Sequence, residues 1–199
     1  LTSHPGPFNV LTSPHEHVVE NCIKDLSIHG EVFDMMGLSR TPYNKINIHI
    51  GGAYGDKVSA MERFCENFHR LPNSVKSRLT VENDDKATMY SVVDLYEGVY
   101  KVIGIPIVFD YHHHRFCTGG LSEEDALEVA ISTWGDIVPV VHYSESRNIE
   151  QEDDKIRPQA HSDYVYDYID TYGNEVDIMV EAKAKELAVL KYKEIHEVV

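Results

Sequence analysis

The chain has 199 residues, is 42% hydrophobic and carries a formal net charge of −15 at pH 7. This length and composition can bury one sizeable core, so we expect one domain over residues 1–199. No apolar run approaches the roughly 20 residues that span a bilayer. The net negative charge argues against a nucleic-acid binder of the usual kind, because most such proteins contact phosphate groups through a stripe of basic residues. The three cysteines are unevenly spaced, which indicates reduced thiols and an intracellular protein. From the apolar runs we expect no membrane segment.

Helices and strands alternate along the chain. In order we predict a helix at 14–37, a strand at 46–50, a helix at 56–71, a strand at 79–81, a helix at 91–104, a strand at 106–109, a helix at 122–134, a strand at 137–141, a short helix at 162–172, a strand at 176–180 and a helix from 181 to 191. Capping residues predict four of the helix starts, at Ser13-Pro14, Asp56, Ser91 with Asp94, and Ser122 with Asp125.

The predicted strands are near-continuous apolar runs. This composition is typical of a parallel sheet that is covered by helices on its faces. The alternation therefore predicts an α/β fold, either an open doubly wound sheet or a barrel.

Ionisable residues follow the predicted strands. The residues at or just past the strand ends are His49, Glu82, Asp110, His142 and Glu181, and His4 stands where an earlier strand would end. The carboxyl ends of parallel strands form the functional edge of such folds, and in a barrel they converge on one mouth. Taken singly, His49 could be a core histidine, Glu82 a helix cap and Glu181 a solvated acid.

Together these residues predict a metal centre. Several carboxylates in one cleft repel one another unless a cation holds them. Imidazole and carboxylate ligands without thiolate suit zinc, manganese or iron(II) better than calcium or magnesium alone. This many ligands favours two or three ions, which would also give an acidic protein the positive charge to meet phosphate.

A histidine triplet follows the strand that ends at Asp110. We expect the loop with His112, His113 and His114 to cross the mouth, one or two of them turning towards a metal and the others facing solvent. His161, after the next strand, could meet them from the neighbouring side.

The chain resembles the ultraviolet-damage endonucleases, relatives of the endonuclease IV-type barrels. The resemblance spans nearly the whole chain through "LTSHPGPF" at 1–8, "VVEN" at 18–21, "NIHIGGAYGDK" at 47–57, "LTVENDDK" at 79–86, "FDYHHH" at 109–114, "VHYSESR" at 141–147, "AHSDY" at 160–164 and "DIMVEAKAKE" at 177–186. The motifs "HIGG", "ENDDK" and "EAKxKE" in this order are highly specific.

The resemblance implies a TIM-type (β/α)8 barrel whose metal cluster nicks damaged double-stranded DNA 5′ to ultraviolet photoproducts, leaving a 3′-hydroxyl and a 5′-phosphate. It implies two or three divalent ions, Mn²⁺ before Zn²⁺. It places one ion on His4, His49 and Glu82, a second on Glu82, Asp110, His142 and Glu181, and a third on His113 and His161. Glu82, Asp110, His142 and Glu181 would be the catalytic set.

The resemblance also suggests DNA contacts and shows two departures. The candidate phosphate contacts are Arg115, Arg147, Lys183 and Lys185, although solvated charges would look the same in the sequence. Pro7 and Phe8 stand where the family commonly has a glutamine and an aromatic residue that probe damaged bases, so we expect an apolar wedge here. Val140 replaces a lysine that often supports the metal site, which bears on the number of ions.

Two other functions remain open. A sugar isomerase or epimerase of the same barrel superfamily would use one or two ions on a polyol, and a non-cutting relative would bind damaged DNA without incision. The sequence indicates no obligate protein partner. Because a closed barrel of this type needs roughly 250 residues, we expect the barrel in residues 1–199 to lack its first strands.

Overall fold

Six parallel strands form one sheet in the computed structural model, which describes residues 1–197. Their order in the sheet follows the order in the chain, and every neighbouring pair is parallel. The strands are β1 (Thr2–Ser3), β2 (Lys45–Ile48), β3 (Leu79–Glu82), β4 (Ile107–Asp110), β5 (Val140–Tyr143) and β6 (Asp177–Val180). The predicted parallel α/β sheet is therefore confirmed.

Helices connect the strands. They are α1 (Glu16–Met35), α2 (Lys57–Phe68), α3 (Asn73–Lys76), α4 (Val92–Leu95), α5 (Lys101–Ile103), α6 (Tyr111–His114), α7 (Glu123–Ile131), α8 (Arg147–Glu150) and α9 (Glu186–His196), with a π-helical segment at Tyr96–Tyr100 between α4 and α5. Strands β2 to β5 are buried along their whole length, and most of their apolar side chains pack with those of the helices in one large core. No helix in this part of the chain has the length and apolar character needed to cross a membrane.

Three of the four predicted helix caps are present. The side chain of Asp56 accepts from the N–H groups of Val58 and Ser59, and Ser91 forms a reciprocal capping box with Asp94. Ser122 accepts from the N–H of Asp125 at the start of α7. The prediction at Ser13-Pro14 is wrong, because the Ser13 hydroxyl accepts from the N–H of His15 (3.2 Å) in a turn and α1 begins only at Glu16.

The predicted helix at 162–172 is also wrong. The segment is irregular because carboxylates of the preceding loop accept hydrogen bonds from its backbone N–H groups. Glu150 accepts from Asp163 and Tyr164 (2.6 and 2.9 Å), and Glu145 accepts from Tyr166 and Asp167 (2.7 and 2.8 Å). The short α8 lies in this loop and was not predicted, and α9 begins at Glu186 rather than directly after Glu181.

Arg78 lies fully buried at the amino end of β3. Its guanidinium donates to the carboxylate of Asp34 (2.8 Å) and to the carbonyl oxygens of Leu38, Ser39 and Ser74. A single cationic side chain thus joins the end of α1, the loop after it and the turn before β3.

Candidate metal centre

The sheet is strongly curled, and the curl brings distant strands together at their carboxyl ends. Strands β1 and β5 are four positions apart, which in a flat sheet is about 19 Å. The rings of His4 after β1 and His142 in β5 nevertheless have centroids only 6.1 Å apart. The strand-end residues therefore converge, as predicted for a barrel mouth.

Glu82 is the centre of this convergence, and only 1% of its surface is exposed. Its Oε2 lies 3.2 Å from His4 Nε2 and 3.2 Å from His142 Nδ1. Its Oε1 lies 3.3 Å from His113 Nδ1 and 3.8 Å from His49 Nε2. One buried carboxylate thus faces four imidazoles from four different strand ends.

A polar pair below Glu82 fixes its carboxylate. The Asn47 amide donates to Glu82 Oε2, and the Thr80 hydroxyl donates to the Asn47 side-chain oxygen (2.9 Å). Our sequence analysis missed Asn47. The available signal was a single amide in the otherwise apolar run Ile46-Asn47-Ile48 of β2.

Asp110 is held equally firmly at the end of β4, where it is fully buried. The Asn83 side chain accepts from the Asp110 N–H (2.8 Å) and donates to the Asp110 carbonyl (3.0 Å), which continues the pairing of β3 and β4. One carboxylate oxygen of Asp110 accepts from the His113 N–H (2.7 Å) and so caps α6. The other oxygen has no hydrogen-bond partner in the described chain.

Glu181 follows β6 and is one of the partly exposed residues of the centre. Its Oε1 lies 3.1 Å from His142 Nδ1, and its Oε2 lies 3.6 Å from His161 Nδ1. About a quarter of the Glu181 and His161 side chains is exposed, whereas the His142 side chain is buried. His4 and His49 are exposed slightly more, at 36% and 31% of their side chains, so the accessible candidate ligands are these four residues.

The ligand atoms fall into three overlapping groups in which all atoms lie within 4.8 Å of one another. The groups are His4 with Glu82 and His142, His49 with Glu82 and His113, and Asp110 with His142 and Glu181. The structure thus brings together seven of the eight predicted ligands in such groups, with His161 beside Glu181. It pairs His49 with His113 rather than with His4, so the predicted division of ligands among ions differs from the observed proximity.

The donor atoms fit a divalent cation. Glu82 Oε1, Asp110 Oδ2 and both ring nitrogens of His142 are buried without a hydrogen-bond partner among the described residues. Buried polar atoms are normally paired, so unpaired oxygens and nitrogens that face one another indicate a missing partner. A cation coordinated by imidazole and carboxylate would satisfy the two carboxylate oxygens and one ring nitrogen of His142.

The acids and imidazoles shift one another's pKa values. Burial by itself would raise the pKa of Glu82, but His142 and His49 outweigh burial and hold it well below its usual range. Burial raises the pKa of Asp110. Burial would lower the pKa of His49, but the carboxylates of Glu82 and Asp84 raise it to about 9. The pKa of His142 is raised well above its usual value by Glu82 and Glu181.

These shifts predict how pH changes the stability of the metal-free protein. A histidine whose pKa rises on folding stabilises the fold below its unfolded pKa, and this contribution is lost as pH rises through the folded pKa. For His49 the window runs from its usual 6.5 to about 9. We expect the free energy of unfolding in chelator to fall between pH 6.5 and 9, as measured by urea denaturation.

Excess Mn²⁺ provides the contrast for this pH series. Metal ligands must be deprotonated, so Mn²⁺ should bind more tightly, and stabilise more, as pH rises. A metal-free protein whose stability is flat or rising over this range would contradict the shifted pKa values.

The histidine triplet forms the short helix α6, and all three residues are buried. Only His113 reaches the carboxylates. His114 packs against the ring of Phe109 (centroids 5.3 Å apart), and His112 packs edge-on against Phe116 (5.2 Å) and His161 (5.5 Å). Burial lowers the pKa of His112 to about 4. The expectation that part of the triplet faces solvent is therefore wrong, because these rings fill apolar space beside the centre.

A cavity of about 670 Å³ opens above Glu82. His4, His49, His113, His161 and Glu181 line it, together with residues of the loops after β1, β2 and β3. Pro7, Asp84, Asp85 and Lys86 are among these loop residues, and Lys86 and Asp84 were not singled out in the sequence.

The other predicted DNA contacts lie outside this cavity lining. Phe8 is 85% exposed. Arg115 is exposed beside Tyr143 and Glu145, and Arg147 Nη2 lies 3.7 Å from Asp163 Oδ1. Lys183 and Lys185 lie between β6 and α9, and both are exposed.

Val140 lies away from the metal centre. It begins β5, two residues before His142, and packs against Val108 and Trp134. It lines a separate cavity of about 370 Å³ at the amino end of the strands, with Lys45 and Asp177. Val140 therefore forms part of an apolar cavity wall and supplies no metal-ligand atom.

Comparison with known protein families shows which family the chain belongs to. A family model described as UV-endonuclease UvdE matches residues 1–198. The chain belongs to this family. Two similar proteins, both named UV DNA damage endonuclease, come from Bacillus cereus (strain Q1) and Bacillus pumilus (strain SAFR-032). The first is 38% identical over 99% of this chain and 61% of that protein, and the second 39% identical over 98% and 61%. The chain spans about three fifths of the curated relatives it matches.

Solved structures confirm the fold class. The crystal structure of SacUVDE superposes with a TM-score of 0.83 at 35% sequence identity, over 98% of this chain and 64% of that chain. A D-psicose 3-epimerase from Clostridium cellulolyticum H10 superposes with a TM-score of 0.55 at 15% identity, over 72% and 51%, which shows a shared fold alone. The six strands are thus part of a TIM-type (β/α)8 barrel, and within residues 1–197 β1 pairs only with β2 and β6 only with β5.

Proposed function

We propose that this chain carries the metal centre of a DNA repair endonuclease that acts inside the cell on ultraviolet-damaged duplex DNA. The enzyme would nick the backbone 5′ to a photoproduct and leave a 3′-hydroxyl and a 5′-phosphate. The supporting observation is the cluster around Glu82, with ligands from six strand ends, in a chain that belongs to the UV-endonuclease family.

Eight residues would hold the ions, with Mn²⁺ favoured over Zn²⁺ and two or three ions in total. They are His4, His49, Glu82, Asp110, His113, His142, His161 and Glu181. Bound divalent ions would polarise the scissile phosphate, make hydroxide available near neutral pH and stabilise the leaving 3′ oxygen. Glu82 would be shared between ions, because its two oxygens face different imidazole pairs.

The protein groups divide the remaining work. The Asn47 amide holds the carboxylate of Glu82 and the His113 N–H holds that of Asp110, so these carboxylates need not reorganise during the reaction. His4, His49, His161 and Glu181 are the partly exposed ligands, so the scissile phosphate would approach through the cavity that they line. Arg115, Arg147, Lys183 and Lys185 would contact flanking phosphates, since they are the cations nearest the carboxyl ends of β4 to β6 in the chain.

The decisive experiment uses supercoiled plasmid, irradiated or left unirradiated, with the natural full-length protein and Mn²⁺. We expect nicked circles from irradiated plasmid only, and end-labelled duplexes should show a cut 5′ to the photoproduct. Equal nicking of both plasmids would contradict damage recognition. Binding without nicking would indicate a non-cutting relative, and conversion of a ketose without nicking would indicate the epimerase alternative.

Phe8 is proposed as the apolar element that senses damage. Its ring is 85% exposed, and the adjacent Pro7 lines the cavity but has no polar side-chain atom for reading a base edge. We expect Phe8→Ala to weaken binding to a photoproduct duplex by about 1–3 kcal/mol, the range for stacking of a base on an aromatic ring.

Fluorescence anisotropy with labelled damaged and undamaged duplexes measures this effect. The matched control is Tyr43→Ala, because Tyr43 is also exposed (56%) but precedes β2 at the opposite end of the sheet. Unchanged affinity of Phe8→Ala, or an equal loss in both variants, would rule out the wedge.

A further inference from the structure

The ring orientation of three candidate ligands follows one rule. The Nδ1 atoms of His4, His113 and His161 lie 3.3, 2.9 and 3.0 Å from the carbonyl oxygens of Pro5, Asn83 and Glu181. A carbonyl oxygen can only accept, so each Nδ1 carries a proton and each Nε2 keeps its lone pair. Backbone carbonyls therefore select the tautomer that can bind a metal through Nε2.

His49 has no such carbonyl, and a carboxylate stands in its place. The Nδ1 of His49 lies 3.1 Å from Asp84 Oδ1, while its Nε2 lies 3.8 Å from Glu82 Oε1. His49 Nδ1 makes no aligned hydrogen bond within residues 1–197, so the Asp84 carboxylate acts on it as a close charge, while the other ring nitrogen lies towards Glu82.

Asp84 is itself held in place. It is buried, and its second carboxylate oxygen accepts from the N–H of Tyr90 (3.2 Å). Its own N–H donates to the Tyr90 carbonyl (2.9 Å). These two hydrogen bonds to the Tyr90 backbone keep the carboxylate turned towards His49.

We infer that Asp84 is a positioning residue that fixes the tautomer and orientation of His49 and thereby strengthens one metal site. A carboxylate on the far nitrogen of a ligating histidine orients the ring and raises its basicity, and removing such a partner typically costs 10–100-fold in metal affinity. The affected ion is the one that Glu82 and His113 share with His49. The inference rests on the metal-binding part of the proposed function.

Asp84→Asn tests the role without removing volume. The Tyr90 N–H needs an acceptor, so the oxygen of the new side chain would turn to Tyr90 and its amide would point at His49 Nδ1. A donor at this position favours the wrong tautomer, with the proton on Nε2. We expect one Mn²⁺ to bind about 10–100-fold more weakly, measured by calorimetry and by electron paramagnetic resonance on the full-length protein.

Asp85→Asn is the matched control. Asp85 is the next residue, lines the same cavity and makes no side-chain hydrogen bond within residues 1–197. It carries the same charge, so its loss measures the general effect of one fewer negative group. Equal Mn²⁺ affinities of the two variants would overturn the inference.

A double-mutant cycle with His49→Gln separates positioning from direct ligation. If Asp84 acts through His49, Asp84→Asn adds no further loss of affinity once His49 is replaced. Additive losses would overturn the inference. Asp84→Glu keeps a charged acceptor and should bind Mn²⁺ more tightly than Asp84→Asn. If the asparagine variant does not fold, the Mn²⁺ affinity of Asp84→Glu is measured in its place.

The wild-type protein distinguishes the two levels of failure. A wild type that binds no Mn²⁺, or binds it without cutting irradiated DNA, counts against the proposed function. A wild type that does both, with Asp84→Asn binding as tightly as Asp85→Asn, counts against the role of Asp84 alone.

Discussion

Replacing Glu82 by glutamine is expected to abolish nicking of irradiated plasmid while the protein stays folded. Among the described residues Glu82 is the one carboxylate shared by two of the three ligand groups, and glutamine keeps its size but offers one neutral oxygen. Loss of a single preorganised stabilising group in an active site costs about 10²–10³-fold in rate, and the loss of a shared ligand should reach at least that range. Quantified nicked circles per unit time measure the effect.

Glu145→Gln is the control for this experiment. Glu145 follows β5 but accepts hydrogen bonds from the N–H groups of Tyr166 and Asp167, outside the cavity lining. The same chemical change there should leave nicking near the wild-type rate. An active Glu82→Gln protein would contradict the proposed mechanism. Loss of activity in both variants would indicate a general effect on folding.

Arg78→Met is expected to destabilise the fold of the described chain. The guanidinium is fully buried, and its loss would remove the donor to the carbonyl oxygen of buried Ser74 and to those of Leu38 and Ser39 in the more exposed loop after α1. Asp34 is 29% exposed and keeps Arg40 as a partner, so the expected cost comes from the unpaired acceptors, about 1–3 kcal/mol for a buried group that loses its hydrogen bond. Urea denaturation measures this cost as the difference in the free energy of unfolding between the variant and the wild type. The comparison holds when both proteins show the same slope of this free energy against urea concentration.

Arg40→Met is the matched control because Arg40 pairs with the same acid. Its Nη2 lies 2.6 Å from Asp34 Oδ2, but about half of its side chain is exposed. Exposed ion pairs contribute about 0–1 kcal/mol. If the two methionine variants are equally stable, the buried network around Arg78 does not hold α1 to the sheet.

Most of the fold could be predicted because the local signals agree with the tertiary structure. Short apolar runs separated by capped helices specify a parallel sheet, and the carboxyl ends of such strands share one edge. A residue that ends one strand, such as Glu82, is thereby brought near a residue that ends another, such as His142. The location of the metal centre therefore follows from where the acids and histidines stand in the chain.

The missed features depend on contacts that leave no periodic signal. The segment 162–172 has apolar residues at helical spacing, but Glu145 and Glu150 accept from its backbone N–H groups and prevent a helix. The burial of His112 and His114 depends on Phe116 and Phe109, which a run of three histidines does not reveal. Asp84 looks like any loop acid until His49 is placed beside it.

The curl of the sheet also sets the order in which the proposed ions could bind during folding. His4 and Glu82 are 78 positions apart in the chain, and Glu181 joins them only when β6 pairs with β5. No short segment of a nascent chain can therefore assemble the ligand groups, because each group needs strands that are distant in sequence. Metal would enter after the chain has largely folded and would then stabilise the finished sheet through mass action. Metal uptake by this protein should therefore report completion of the native topology rather than guide its early steps.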